Sequence, residues 1–170
     1  FDAALGKYLI IVDADLSIRT TDLKKIISLF GLYGDNILAS GNRLRGFQKP
    51  RAFYWLNYLG NYFFRYYYSF LLKTPILDIS CGSKAMSKKT WLKIRNLRQK
   101  FGCLDNWGDI DWLYYAGLCW LPIKYIPVSY HSRIYGTSKL QNLKVRYKFA
   151  LSMFTIGIRI WLSRHSCPKN

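Results

Sequence analysis

A chain of 170 residues with 26 Lys and Arg against nine acids, all of them Asp, carries a net charge of +17, which selects polyanionic company: nucleic acid, an anionic membrane surface or phosphorylated substrates. The length supports one domain with a real core, no uncharged run reaches the roughly 18–20 apolar residues of a spanning helix, and no segment starts like a signal peptide. The cysteines at 81, 103, 119 and 167 lack the paired spacing of a metal site, so a reduced compartment is the default, and an aromatic content of 18% suits interfaces and membrane-surface positions.

In chain order, the sequence opens without Met, in "FDAALGKYLIIV", almost at once in a core strand. A missing N-terminal part is therefore expected. "YLIIVDADLS" (8–17) reads as a buried strand that ends in Asp13 and Asp15. Leu23, Ile26, Ile27 and Phe30 recur at i, i+3, i+4, i+7 and predict a helix capped by Thr20 or Thr21. "GLYGDN" is a turn, "ILAS" a short strand and "GNRLRGFQKPR" a basic loop. Residues 51–72 predict a long helix, apolar and aromatic except for one stripe of Asn57, Asn61, Arg65 and Ser69 at every fourth position. "ILDISCGSKAMS" reads as a loop and strand, "KKTWLKIRNL" as a helix, and "DNWGDIDWLYYAGL" as turn residues leading into a helix. "IKYIPVSYHS" alternates as a strand, "RIYGTSKL" is a loop, and 141–163 is a basic amphipathic helix. Strands alternating with helices predict an α/β layered fold.

Ligands of α/β sheets bind beyond the carboxyl ends of strands, where Asp13 and Asp15 stand. One intervening residue on an extended chain sends both side chains to the same side. Two carboxylates together repel unless a cation joins them, and a divalent metal with substrate phosphates is the natural third party. The plainer reading is a strand end turning into a loop. Asp109 and Asp111 repeat the spacing. Asp109 suits the first turn of a helix, whereas Asp111 lies between Trp107 and Trp112, a setting that suits a general base. Arg133, Ser138 and Lys139 surround Gly136, and two cations with a hydroxyl suit a diphosphate. Arg43 and Arg45 offer similar charge.

Taken in order, "LIIVDADLS", "SGNRL", "NYLGNYFF", "ILDISCGSKAMS", "WGDIDWLYYAGL" and "IPVSYHSRIYGTSKL" resemble the family 2 glycosyltransferases, closest to the branch of dolichyl- and polyprenyl-phosphate sugar transferases. The resemblance runs from Ala4 to about Tyr147. It implies a GT-A fold for nucleotide-diphospho-sugar transfer, truncated at its N-terminus. Residues 1–140 would form the C-terminal part of that domain, and 141–170 a basic amphipathic helix suited to a membrane interface. Asp13 and Asp15 match the family's Asp-x-Asp motif, which holds Mg²⁺ or Mn²⁺ and the nucleotide-sugar, with Asp15 the principal metal ligand. Asp111, with Asp109 beside it, matches the acidic position near the acceptor. Arg133, Ser138 and Lys139 match the loop near the phosphates. Arg43 matches an arginine that faces the acceptor phosphate. The family's first strand, its V-x-x-P-x-x-N-E loop and its base-reading Asp have no counterpart here. Ser17 stands where some relatives carry a metal-binding Gln, and the Arg and Ser that hold the acceptor phosphate in some dolichyl enzymes find no clear match, with Lys49, Arg51 or Asn57 as substitutes.

The implied activity is an inverting, metal-dependent transfer of a sugar from a nucleotide-diphosphate donor. The acceptor is a polyprenyl or dolichyl phosphate oriented by Arg43, or a glycan hydroxyl with Asp111 as base. The implied place is the cytoplasmic face of a membrane, peripherally bound, with no nucleic-acid partner. Two rivals remain at this level. A basic nucleic-acid module explains the charge and the aromatics but leaves the Asp pairs without a role. A non-catalytic membrane-surface protein would lay 51–72 and 141–163 in the interface.

Overall fold

Alternation sets the sheet. In the computed structural model, which describes residues 1–13, 15, 17–46, 55–102, 109–131 and 142–164, with the backbone alone at 100, 101, 109, 163 and 164, four short strands are separated by helices. They are β1 (Tyr8–Ile11), β2 (Leu38–Asn42), β3 (Lys84–Ser87) and β4 (Ile123–Pro127). Leu9, Leu38 and Met86 turn to one side of the sheet, and Tyr8, Ile10, Ala39 and Ala85 to the other, as the two-residue period of a strand requires. Helix α1 (Thr20–Tyr33) covers the second side through Ile26, Leu29 and Phe30. Helices α2 (Trp55–Leu72), α3 (Lys88–Phe101), α4 (Asp109–Leu118) and α5 (Leu143–Arg164) contribute to the larger core on the first side, where Tyr68, Ile94, Leu113 and Ile156 meet. The chain is thus a mixed α/β fold with a four-stranded mixed sheet and five α-helices among the described residues.

Strand order is β1-β3-β2-β4. Strand β3 runs antiparallel to both β1 and β2, and β2 runs parallel to β4. Lys84 pairs with Ile11 on one side and Ser40 on the other, and Ser40 pairs with Tyr125. This register brings the carboxyl ends of β1, β2 and β4 and the amino end of β3 to the same end of the sheet.

Local signals explain the helix boundaries, with one correction. Neither Thr20 nor Thr21 caps α1: the cap position is Arg19, in extended backbone and without a side-chain cap bond. Asp22 serves the first turn instead. Its buried carboxylate accepts from Lys25 Nζ at 2.6 Å and from the Ser129 N–H at 2.9 Å, a negative charge at the positive end of the helix. Gly34, at φ 76°, ends the helix and donates its N–H to the Phe30 carbonyl. At α3 the sequence rule holds, with Ser87 Oγ accepting from the Thr90 N–H at 3.1 Å.

Part of the polar stripe of α2 turns inward. Asn61 is buried, and Ser69 Oγ accepts from the Ile76 N–H at 2.8 Å and donates to the Arg65 carbonyl at 2.6 Å. Segment 76–80 therefore folds back along the helix. A buried amide or hydroxyl is tolerated only with partners, and that segment supplies them. No helix among the described residues is long and apolar enough to cross a membrane.

Candidate functional site

The site is the end of the sheet where the four strand termini meet. Carrying the Ile11–Lys84 register two residues further sets Asp13 opposite Gly82, and the two lie close. A Cβ added to Gly82 would stand 2.6 Å from Asp13 Cγ. Glycine is thus what lets the carboxylate lie against this backbone. Asp15 is half-buried, and its Oδ1 accepts from the Ser17 N–H at 3.0 Å, a local turn that holds the chain as it leaves β1. The carbonyl of Ser17 accepts from the His131 N–H at 2.9 Å, so the segment beyond β4 is tied to the segment beyond β1.

At the end of β2 lies a buried charge network. Asp78, fully buried, accepts from the backbone N–H of Arg43 at 2.9 Å, from Arg43 Nε at 2.9 Å and Nη2 at 2.8 Å, from Asn61 Nδ2 at 2.6 Å and from the Ser80 N–H at 3.2 Å. The Arg43 guanidinium also lies 5.1 Å from the centre of the Tyr130 ring, a cation–π distance. Burial by itself raises the Asp78 pKa, but the Arg43 charge and these donors outweigh it and hold the carboxyl at about 2. Arg43 is likewise held above its ordinary value: burial works against its charge, and the charge and hydrogen bonds of Asp78 prevail. The neighbouring Cys81 thiol is pushed up to about 12, first by burial and then by the Asp78 charge, which keeps it a neutral core group rather than a nucleophile. Lys84 is buried as well and donates from Nζ to the Cys81 carbonyl.

Of the residues singled out from sequence, Asp13, Asp15 and Arg43 reach this end of the sheet. Arg43 is 7% exposed and engaged with Asp78. Asp111 is fully buried in α4, and its Oδ2 lies 3.2 Å from Arg98 Nε on α3, so its carboxylate joins two helices. Asp109 is the first residue of α4, and its side chain lies outside the described residues. Arg133, Ser138 and Lys139 also lie outside them, as do Lys49 and Arg51. Asp78 escaped the sequence reading because one Asp in "ILDIS" carries no spacing signal. The polar stripe of α2, through the buried Asn61, was the available hint that a buried polar partner must exist.

Among the described residues no group of three or more His, Cys, Asp or Glu side chains could hold a metal ion. Asp13 and Asp15 offer two carboxylates at one strand end. That donor set does not make a protein-only cage, but it fits a hard cation such as Mg²⁺ or Mn²⁺, which takes one or two carboxylates and fills its remaining positions with water and substrate phosphates. No family model matches the chain, and neither a curated protein nor a solved structure does.

Proposed function

We propose that this chain carries the catalytic end of a GT-A glycosyltransferase that moves a sugar from a nucleotide-diphosphate donor to a lipid phosphate at a membrane surface. The observation that supports this reading most is the apposition of Asp13 with Gly82. It sets the Asp13 carboxylate, just past the end of β1, against a backbone that carries no side chain at that position. The order of motifs noted in the sequence, from the Asp pair through "SGNRL" to "RIYGTSKL", supports it independently.

In this reading Asp15, assisted by Asp13, would hold a divalent cation at the donor side of the site. When bound, that ion supplies neutralisation of the charge that develops on the leaving nucleotide. Arg133 and Lys139 meet the donor diphosphate oxygens, and Ser138 donates a hydroxyl hydrogen to them. The acceptor phosphate is already an anion and attacks the anomeric carbon from the face opposite the leaving group. A hydroxyl acceptor would need a base, and the full burial of Asp111 against Arg98 favours the phosphate acceptor, which needs none. Arg43, bound to Asp78, acts on the acceptor side by holding the end of β2 rigid beneath it.

The test uses the protein at its full encoded length, a set of UDP- and GDP-sugars, and polyprenyl or dolichyl phosphate in detergent with Mn²⁺. The expected product is a sugar in the lipid-soluble fraction. Chelation should abolish it, and Asp15→Asn should reduce it roughly a hundredfold or more without altering the circular dichroism. Turnover by Asp15→Asn with unchanged Mn²⁺ dependence overturns the assignment, as does absence of product from every donor.

A further inference from the structure

Lys84 stands where the sheet would ordinarily take an apolar residue. A lysine is almost never fully buried, yet Lys84 is completely enclosed and is among the largest side chains so placed. It opens β3, paired with Ile11 of β1 and with Ser40 of β2. The two-residue period puts it on the same side of the sheet as Met86, under the larger helical cover. An apolar side chain of similar length would fill that slot without taking a charge out of water. No step of the transfer uses this ammonium.

The side chain reaches backwards. Lys84 Nζ donates to the carbonyl of Cys81, three residues earlier, and so closes a short loop of Cys81, Gly82 and Ser83 just ahead of the strand. The ladder of β3 starts at Lys84, so strand pairing does not reach Cys81 or Gly82, whereas the ammonium does. Strand β2 bounds the other side of this loop. The Gly41 N–H donates to the Ser83 carbonyl at 3.0 Å, and Cys81 Sγ packs so closely on Gly41 that a Cβ there would stand 2.9 Å from it. The charges of Asp78, Arg43 and Lys84 all reach the Cys81 thiol, so the buried pair and the buried ammonium converge on one residue. Next to it is Gly82, the backbone against which the Asp13 carboxylate lies.

We propose that Lys84 is a positioning residue for the Asp13 carboxylate. By holding the Cys81 carbonyl it fixes Gly82 where its bare backbone bounds Asp13, and so keeps that carboxylate in place for a divalent cation. The inference rests on the reading of Asp13 and Asp15 as the cation's ligands. Two roles for a buried lysine at this place differ in sign. A lysine that acted only through its charge would repel a metal ion, and its removal would tighten binding. A lysine that supports a ligand weakens binding when it is lost, as partners behind metal ligands commonly do.

The experiment measures Mn²⁺ binding to the full-length protein by electron paramagnetic resonance, with UDP or GDP present. No transfer activity is read. Lys84→Met fills the slot without charge, and Lys84→Gln keeps polar atoms in it. Each should bind Mn²⁺ about tenfold or more weakly than the wild type. Circular dichroism certifies the fold of each variant, and either one decides the matter where the other fails to fold. Wild-type or tighter Mn²⁺ binding in a folded variant overturns the inference and leaves the Asp pair standing, whatever the melting temperature does. Loss of the folded spectrum in both variants makes Lys84 a structural residue and overturns the inference too. A wild type that binds no Mn²⁺ fails the reading of the Asp pair itself, and the inference with it.

Discussion

The Arg43 guanidinium grips the Asp78 carboxylate in parallel, Nε 2.9 Å from Oδ2 and Nη2 2.8 Å from Oδ1, with both side chains buried. The residues lie 35 positions apart, so the pair joins the end of β2 to the segment that leads into β3. Asn61 extends it to α2. A paired fork of this kind has fixed geometry as well as charge, and its charges reach Cys81, the neighbour of Gly82.

Removing one partner leaves the other buried and uncompensated. Arg43→Met and Asp78→Asn should therefore each lower stability by about 3–5 kcal/mol. The double variant should lose clearly less than the sum, because neither charge is then left alone. Urea denaturation of the four proteins measures the coupling, and additive losses would mean that the pair contributes nothing beyond its separate parts.

Acid should act through the same pair. Asp78 has a folded pKa of about 2, below the ordinary carboxyl value of 3.8. Above about pH 4 the group is ionised in both states, and its stabilisation is fully present. As pH falls from there towards 2, the unfolded chain takes up a proton that the folded one refuses, and the contribution, on the order of 2 kcal/mol, is lost. The difference in unfolding free energy between wild type and Asp78→Asn should accordingly be constant from neutral pH to about pH 4 and shrink below it. A difference independent of pH down to 2 contradicts the assignment.

Two glycines should respond in opposite ways. Gly31 lies in α1, and a Cβ added there meets nothing within 4 Å. Gly31→Ala is expected to stabilise the protein by up to about 1 kcal/mol through helix propensity. At Gly82 the added Cβ would stand 2.6 Å from Asp13 Cγ, so the carboxylate must move. Gly82→Ala should cost about 1–3 kcal/mol and weaken Mn²⁺ binding measured by electron paramagnetic resonance with UDP or GDP present. Thermal melting checks the first effect in each variant. Unchanged melting and unchanged Mn²⁺ binding in Gly82→Ala would remove the apposition from the site.

Much of the element sequence was legible because it is local. The i, i+3, i+4, i+7 pattern of Leu23, Ile26, Ile27 and Phe30 lies within α1, and the alternation in "IKYIPVS" marks β4. The cap of α1 was misread because Thr20 competes with an acidic first turn, and Asp22, tied to Ser129 at the end of β4, supplies the charge there. On α2 the stripe of Asn61 and Ser69 was visible, but its direction was not. In an aromatic helix, the ordinary rule that polar residues face water fails once a neighbouring segment offers hydrogen bonds.

Sequence alone determined the charge, the periods of strand and helix, and the presence of two carboxylates at the end of a hydrophobic strand, because each is a property of neighbouring residues. Tertiary structure decided which distant segments meet. The antiparallel insertion of β3 between β1 and β2 brings Gly82 against Asp13. The fold-back of 76–80 draws Asp78 onto Arg43 and Asn61. The packing of α5 on α2 chooses which aromatic stripe is covered and which is left outside. A local pattern tells that a face is apolar or a group needs a partner. Which partner arrives depends on strand order and helix docking, and those follow from burying both sides of the sheet at once under the helices.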